Sequence, residues 1–259
     1  MIYLSNLLVD TGSDPDRVRP GRLWIGNVYN IHRRLSMAFP RYDTLLSDPN
    51  CLNPFDPSKL ENRPFLFRLD NLADSSGQRA MIIVQSSLEP NWAWAFHNAP
   101  DFLAAPPQYK VYDPCFGEHD LLRFRIRLNP TVKSSIHYCL DSRTGEPGKH
   151  GKRLALTWPE GTSPESAVTE WFERKAEQNG FRIIDSKLQN LSWVYGSKLK
   201  SPDDQIKKGE VLHHGMRFRS ALLEGHLEII DLESFMICLN NGLGSAKSMG
   251  FGLFSVVKT

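Results

Sequence analysis

Between Leu121 and Pro130 the chain reads LLRFRIRLNP, and the alternation is strict. Leu122, Phe124, Ile126 and Leu128 fall on one side of an extended strand, and Arg123, Arg125 and Arg127 fall on the other. A period of two this regular predicts a half-buried strand, because one face needs a core while three guanidinium groups need water. The chain must therefore build a sheet with one covered face. The other face raises a functional question. Three cations in register form a strip suited to a polyanion, although each of them taken singly is as well explained as an ordinary solvated charge.

Other segments supply the rest of such an architecture. IYLSNLLV (2–9) predicts a first strand, and FLFRLD (65–70) with RAMIIVQS (79–86) a strand pair separated by the turn-like NLADSSGQ. The stretch 41–63, with its prolines and asparagines, reads as an inserted loop. GNVYNIHRRLSMAFP (26–40) predicts a helix capped by Asn27 or Gly26, with Val28, Ile31, Leu35 and Ala38 as its buried stripe. TSPESAVTEWFERKAEQNG (162–180) predicts a second helix, with Ser163 as cap, Pro164 in the first turn and Gly180 as terminator. After it come the strand FRIIDSKL, the basic segment SKLKSPDDQIKKGE, and HHGMRFRSALLEG, where Gly225 predicts a turn into HLEIID. Asp231 caps a short helix, LESFMICLNNG, and LFSVV closes the chain as a strand.

Each half thus runs, with gaps, as strand, helix, two strands, helix, strand. This order predicts an α+β protein made of tandem ferredoxin-like, RRM-like βαββαβ domains. A chain of 259 residues can hold two such cores. The predicted division is 1–134 for the first domain, 135–152 for a basic linker containing SRTGEPGKHGKR, and 153–259 for the second, which ends in a glycine-rich loop.

Several function classes are disfavoured. Lys and Arg outnumber Asp and Glu by only 31 to 29, so net charge names no partner and any polyanion site must come from clustering. MIYLSNLLVDTGSDPD lacks the basic leader and cleavage-like site of a signal peptide, and no apolar run approaches the roughly 18 residues of a membrane span. Cys51, Cys115, Cys139 and Cys238 are too scattered for a zinc site or a disulfide framework, so a cytoplasmic protein is expected. His213 and His214 would point to opposite faces of a strand, and His97, His119, His137, His150 and His226 form no cluster. No metal is therefore expected, and a two-metal nuclease is disfavoured.

The segment Gly242–Gly252 invites comparison with a phosphate loop. Its spacing fails, since Lys247 follows Ala246 and the loop runs from a helix to a strand, so no nucleotide cofactor is expected. Two readings stay open. Gly242, Gly244, Gly250 and Gly252 can serve a tight loop at positive φ, or the backbone N–H groups can join Lys247 on an RNA phosphate.

His32 sits about 100° round the helix from Ile31, at the border of the core, with Tyr29 one turn before it and Ser36 one turn after. A lone histidine on a helix flank is most often structural. Histidine can nevertheless carry a proton in either direction near neutral pH, and Tyr29 and Ser36 are groups able to share one.

GLGSAKSMGFGLFSV resembles the closing signature of the CasE-type CRISPR endoribonucleases, G-x-G-x-x-K-x-x-G-x-G-L followed by a short strand. These are the repeat-RNA processing subunits of the type I-E Cascade complex. YLSNLLV, YNIHRRLSMAFP, FLFRLD with IIVQSS, and FRIRLNPTVK match the family's pattern in the same order, over nearly the whole chain. The resemblance implies a tandem ferredoxin-like, metal-independent endoribonuclease that cuts precursor CRISPR RNA at the base of the repeat hairpin. Attack by the ribose 2′-OH would leave a 2′,3′-cyclic phosphate and a 5′-OH, and the enzyme would stay with its product among the other Cascade subunits. The family's Tyr-x-x-His lands on Tyr29 and His32. Its basic segment near the scissile phosphate corresponds to Lys198–Lys208, which makes Lys198 and Lys200 catalytic candidates. Arg33, Arg34, Arg123, Arg125, Arg127, Lys133, Lys149, Lys152, Arg153, Lys207, Lys208 and Lys247 are the expected RNA contacts. Ser36 departs from the family's frequent Trp, and the loops at 11–22, 41–63 and 135–150 are longer. The alternative is a non-catalytic subunit that binds the RNA hairpin on the same fold.

Overall fold

A computed structural model describes residues 2–12, 20–39, 65–71, 79–140, 147–199 and 213–259. The first sheet contains β1 (Ile2–Asp10), β2 (Phe65–Asn71), β3 (Arg79–Ser86) and β4 (Gln108–Tyr112), antiparallel in the order β2-β3-β1-β4. Among the described residues three α-helices accompany it: α1 (Pro20–Ile25), α2 (Val28–Ser36) and α3 (Trp92–Phe96). The period-two pattern turns Leu7, Val9, Phe65, Phe67, Ala80, Ile82 and Val84 to one face, where they bury against Trp24, Ile31, Leu35, Trp92 and Phe96. The predicted stripe Val28, Ile31, Leu35 and Ala38 is buried throughout. The helix itself stops at Ser36, and turn hydrogen bonds carry the chain on through Phe39.

On the other face of β2, Arg68 and Asp70 occupy alternate positions and form a buried ion pair. Arg68 is 1% exposed; its Nε and Nη2 donate to the Asp70 carboxylate at 2.9–3.1 Å. Its Nη1 donates to the Leu253 carbonyl at 3.4 Å, which ties the end of the glycine-rich loop to this sheet.

The second sheet contains β5 (Leu121–Leu128), β8 (Phe181–Leu199), β9 (His213–Ile229) and β10 (Phe254–Lys258), in the order β10-β5-β9-β8. Its helices are α4 (Pro164–Glu177) and α5 (Leu232–Asn241), and a separate hairpin joins β6 (Thr131–Leu140) to β7 (Pro147–Ala155). Leu122, Phe124, Ile126 and Leu128 meet Val168, Trp171, Phe172 and Phe235 in this core, as their alternation predicts. In both sheets the last strand lies beside the first, and the third lies between the first and the second. This is the tandem ferredoxin-like fold.

The division of the chain differs from the predicted one. One unit comprises Met1–Cys115, Val194–Arg217 and Ala246–Leu253; the other comprises Phe116–Trp193, Phe218–Ser245 and Phe254–Thr259. Strand β5, assigned by its position to the first half, pairs with β9 and β10 and opens the second unit. The fourth strand of the first sheet is QYKVY, an edge strand whose exposure gives it no alternating signature. Of the expected linker 135–152, the described residues 135–140 and 147–152 lie in the paired strands β6 and β7. Gly225 makes no turn, since β9 runs straight through it. A Cβ there would come 2.1 Å from the Asp185 carbonyl oxygen, so the glycine serves a close backbone approach. No helix among the described residues is long and apolar enough to cross a membrane.

Candidate active site

Helix α2 begins where Asn27 leaves helical dihedrals and accepts the Tyr29 N–H on its Oδ1 at 3.1 Å. One turn apart, Tyr29 and His32 lie half-buried on the flank of the apolar stripe. The His32 imidazole stacks on Phe65, with ring centroids 5.5 Å apart and planes at 28°, and Phe65 stacks in turn on Phe39 at 5.2 Å. The plane of the histidine ring is thereby set by an aromatic wall from β2. Ser36 does not join this flank. It is buried, and its hydroxyl donates to the His32 backbone carbonyl at 2.7 Å.

A lysine reaches the same helix from far along the chain. Lys198, near the end of β8, is exposed and places its Nζ 5.8 Å from the centroid of the Tyr29 ring. Asn27 secures the adjacent residue: its Nδ2 donates to the Ser197 carbonyl at 3.0 Å, and the Ser197 N–H donates to its Oδ1 at 3.1 Å. The amide orientation follows from this pattern, because the one oxygen accepts two backbone N–H groups and the nitrogen faces a carbonyl. The capping role of Asn27 is legible in sequence. Its pairing with Ser197, 170 residues away, has no local signal.

The glycine-rich loop also approaches α2. A 3-10 turn at Lys247–Met249 packs on α2 and on β2. Gly242, Gly244, Gly250 and Gly252 all have φ between 72° and 87°, and Ala246 has φ 58°, which supports the tight-loop reading of the glycines. A Cβ at Gly250 would come 2.9 Å from the Phe67 ring. Lys247 rides half-buried on this turn.

The remaining cations separate into groups. Arg34 is given over to structure: its Nη1 donates to the Ala95 carbonyl at 2.9 Å and to Asn98 Oδ1 at 2.6 Å, and the group lies over Phe102. Burial, with Arg33 nearby, lowers its pKa. Arg125 pairs with Glu224 at 2.6 Å and Arg127 donates to Ser220 Oγ at 3.2 Å, so two of the three strip arginines already hold protein partners. Arg33 and Arg123 are exposed; so are Lys133 and Arg153, which are cross-strand neighbours on β6 and β7. Lys200, Lys207 and Lys208 lie outside the described residues, as do the side chains of Lys149 and Lys152. Among the described residues no three His, Cys, Asp or Glu side chains are grouped to hold a metal ion. On its flank α2 presents one imidazole and one phenol, and β8 brings one ammonium group to the phenol. That set can take up a proton, release one, and place positive charge beside an anion.

A family model described as CRISPR associated protein matches residues 2–258. The chain is 27% identical over 257 residues to the CRISPR-associated endoribonuclease Cse3 of Thermus thermophilus, covering 98% of this chain and 99% of that one. A solved structure of CRISPR endoribonuclease Cse3 bound to a 19-nucleotide RNA matches with a TM-score of 0.65 and 25% identity, over 98% of this chain and 99% of that one. A chain of a CRISPR RNA-guided surveillance complex shares the fold, with a TM-score of 0.54 and 19% identity over 99% of this chain and all of that one.

Proposed function

The chain belongs to the CRISPR-associated protein family, and from that premise we propose that it is a metal-independent endoribonuclease that cuts precursor CRISPR RNA at the base of the repeat hairpin. We further propose that it keeps the product and works as a Cascade subunit, in keeping with its fold likeness to a chain of a surveillance complex. The observation that carries the ribonuclease reading is Lys198 held over the Tyr29 ring, one helical turn from His32.

The chemistry follows from these three groups. A base removes the proton of the 2′-OH, the resulting oxyanion attacks the adjacent phosphorus, and the 5′-oxygen leaves with a proton from an acid. His32 and Tyr29 divide the two proton transfers. Lys198 opposes the charge that builds on the phosphorane oxygens, an interaction strongest in the transition state. The products carry a 2′,3′-cyclic phosphate and a 5′-OH. Lys247 near α2, with Lys133 and Arg153 on the hairpin, serves as a phosphate contact. In A-form RNA such contacts read the shape of the stem before its sequence.

The test is incubation of the purified protein with its cognate repeat RNA in EDTA, with analysis of both new ends. Cleavage leaving those ends, and its loss when the scissile nucleotide is 2′-deoxy, is expected. Tight binding of RNA that stays uncut would overturn the enzymatic reading in favour of a binding subunit.

A further inference from the structure

We infer that Asn27 is a positioning residue for the cleavage reaction, acting by holding the strand that carries Lys198 against the helix that carries Tyr29 and His32. The inference rests on the ribonuclease reading above and adds a residue to it. Lys198 is exposed and flexible by type; a long ammonium side chain on a strand end would sample many positions if its backbone were unanchored. Its neighbour Ser197 is fixed through both backbone polar groups by one side chain, at 3.0 and 3.1 Å. That same side chain caps α2 at Tyr29. Asn27 therefore sets, with one rigid amide, both the start of the helix and the position of the backbone one residue before the lysine.

A second observation points the same way. Gly196 is buried, and a Cβ there would come 3.2 Å from Val28 Cγ2, 3.2 Å from Met216 Cε and 3.7 Å from Asn27 Oδ1. A side chain at this position would press on Val28 of the helix, so the strand passes close to it. An ordinary N-cap needs no such approach. Serine or aspartate would also cap α2, but serine is too short to reach Ser197, and aspartate lacks the N–H that meets the Ser197 carbonyl.

The experiment compares Asn27→Ser, which keeps a capping hydroxyl, with wild type and with Lys198→Ala. Amide hydrogen exchange on the protein without RNA reads the docking: protection of the Ser197 N–H should fall in Asn27→Ser while that of the Tyr29 N–H persists. Single-turnover cleavage at saturating repeat RNA reads the consequence. Asn27→Ser should lower the rate on the order of 10²-fold, the scale of an ångström misplacement of a reacting group, with RNA affinity changed less than threefold, a bound of about that size set by the sequence-independent phosphate contacts. Combined with Lys198→Ala it should add little, because both changes remove one function.

Gly196→Ala presses on the same contact from the strand side and should reproduce the rate loss, which covers the case of an Asn27→Ser protein that does not fold. An undiminished rate in both Asn27→Ser and Gly196→Ala, or a fully multiplicative loss in the double variant, overturns the inference while leaving the ribonuclease reading intact. A wild-type protein that leaves the RNA uncut overturns both.

Discussion

The two ferredoxin-like units share a topology and differ in how their first long helix begins. In the second unit α4 is capped by Ser163, whose hydroxyl accepts the Ser166 N–H at 3.0 Å, and Glu165 fills its first turn. The cap serves only the helix, while Glu165 also accepts the Leu188 N–H of β8 at 3.4 Å. In the first unit α2 has no acidic residue in its first turn, and its cap bonds both to the helix and to a strand from a distant part of the chain. The faces differ accordingly: α4 buries Val168, Trp171, Phe172 and Ala176, while α2 adds Tyr29 and His32 beside its apolar stripe. One βαββαβ frame can thus hold a scaffold helix or a candidate site, depending on what is delivered to its first helix.

The largest effect that could break this contrast is at His32. His32→Ala should lower single-turnover cleavage by about 10²- to 10⁴-fold, the range of one general acid or base. A loss below tenfold would reduce α2 to the structural status of α4. Ion pairs offer the next comparison. Arg68→Met leaves the Asp70 carboxylate buried beside an apolar chain and should cost about 3–5 kcal/mol in urea unfolding. Arg125→Ala removes a half-exposed pair with Glu224 and should cost about 1 kcal/mol or less. Ser163→Ala should cost about 1 kcal/mol through the lost cap and leave cleavage unchanged, the opposite of what changes at Asn27 do.

The smallest effect is acidic. Asp120, Glu228 and Asp231, all in the second unit, are held below the ordinary carboxylate range. For Glu228 the causes are hydrogen bonds from His119 and then from Arg182, for Asp120 the Lys258 ammonium and the Gly117 N–H, and for Asp231 the Ser234 hydroxyl and N–H. A depressed carboxyl favours the folded state above its unfolded pKa, and the contribution disappears as pH falls through the lower folded value. Stability should therefore decline as pH drops below 4.5, the ordinary value for Glu228. Glu228→Gln should make that decline shallower in circular-dichroism titrations.

Much of the local structure was legible in sequence. The stripe on α2, the caps at Asn27, Ser163 and Asp231, and the inward face of β5 follow from periodicity and side-chain chemistry, and all five are present. What failed was pairing. The alternation in LLRFRIRL identifies its buried face but cannot say which sheet receives it, because strand partners are chosen across the whole chain. The edge strand QYKVY was missed because exposure on both faces removes the pattern. The candidate site divides in the same way. Tyr29 and His32 are neighbours by helical spacing and were found by it, with the family resemblance turning a well-placed histidine into a catalytic candidate. That Lys198 meets Tyr29 depends on an amide bridging 170 residues, and the partners of Arg34 and Arg125 are likewise non-local.

The interleaving of the two units bears on heredity. Because the unit with α2 also needs Val194–Arg217 and Ala246–Leu253, a crossover anywhere from 116 to 193 parts His32 from both Lys198 and the 246–253 loop. A crossover from 199 to 245 still parts it from the loop. Chimeras between diverged relatives would inherit mismatched halves of one site wherever the junction fell in that central stretch. Homologous exchange is therefore expected to preserve this arrangement only when its junctions spare the interior of the gene, and shuffled libraries should recover active members mainly from junctions near the ends.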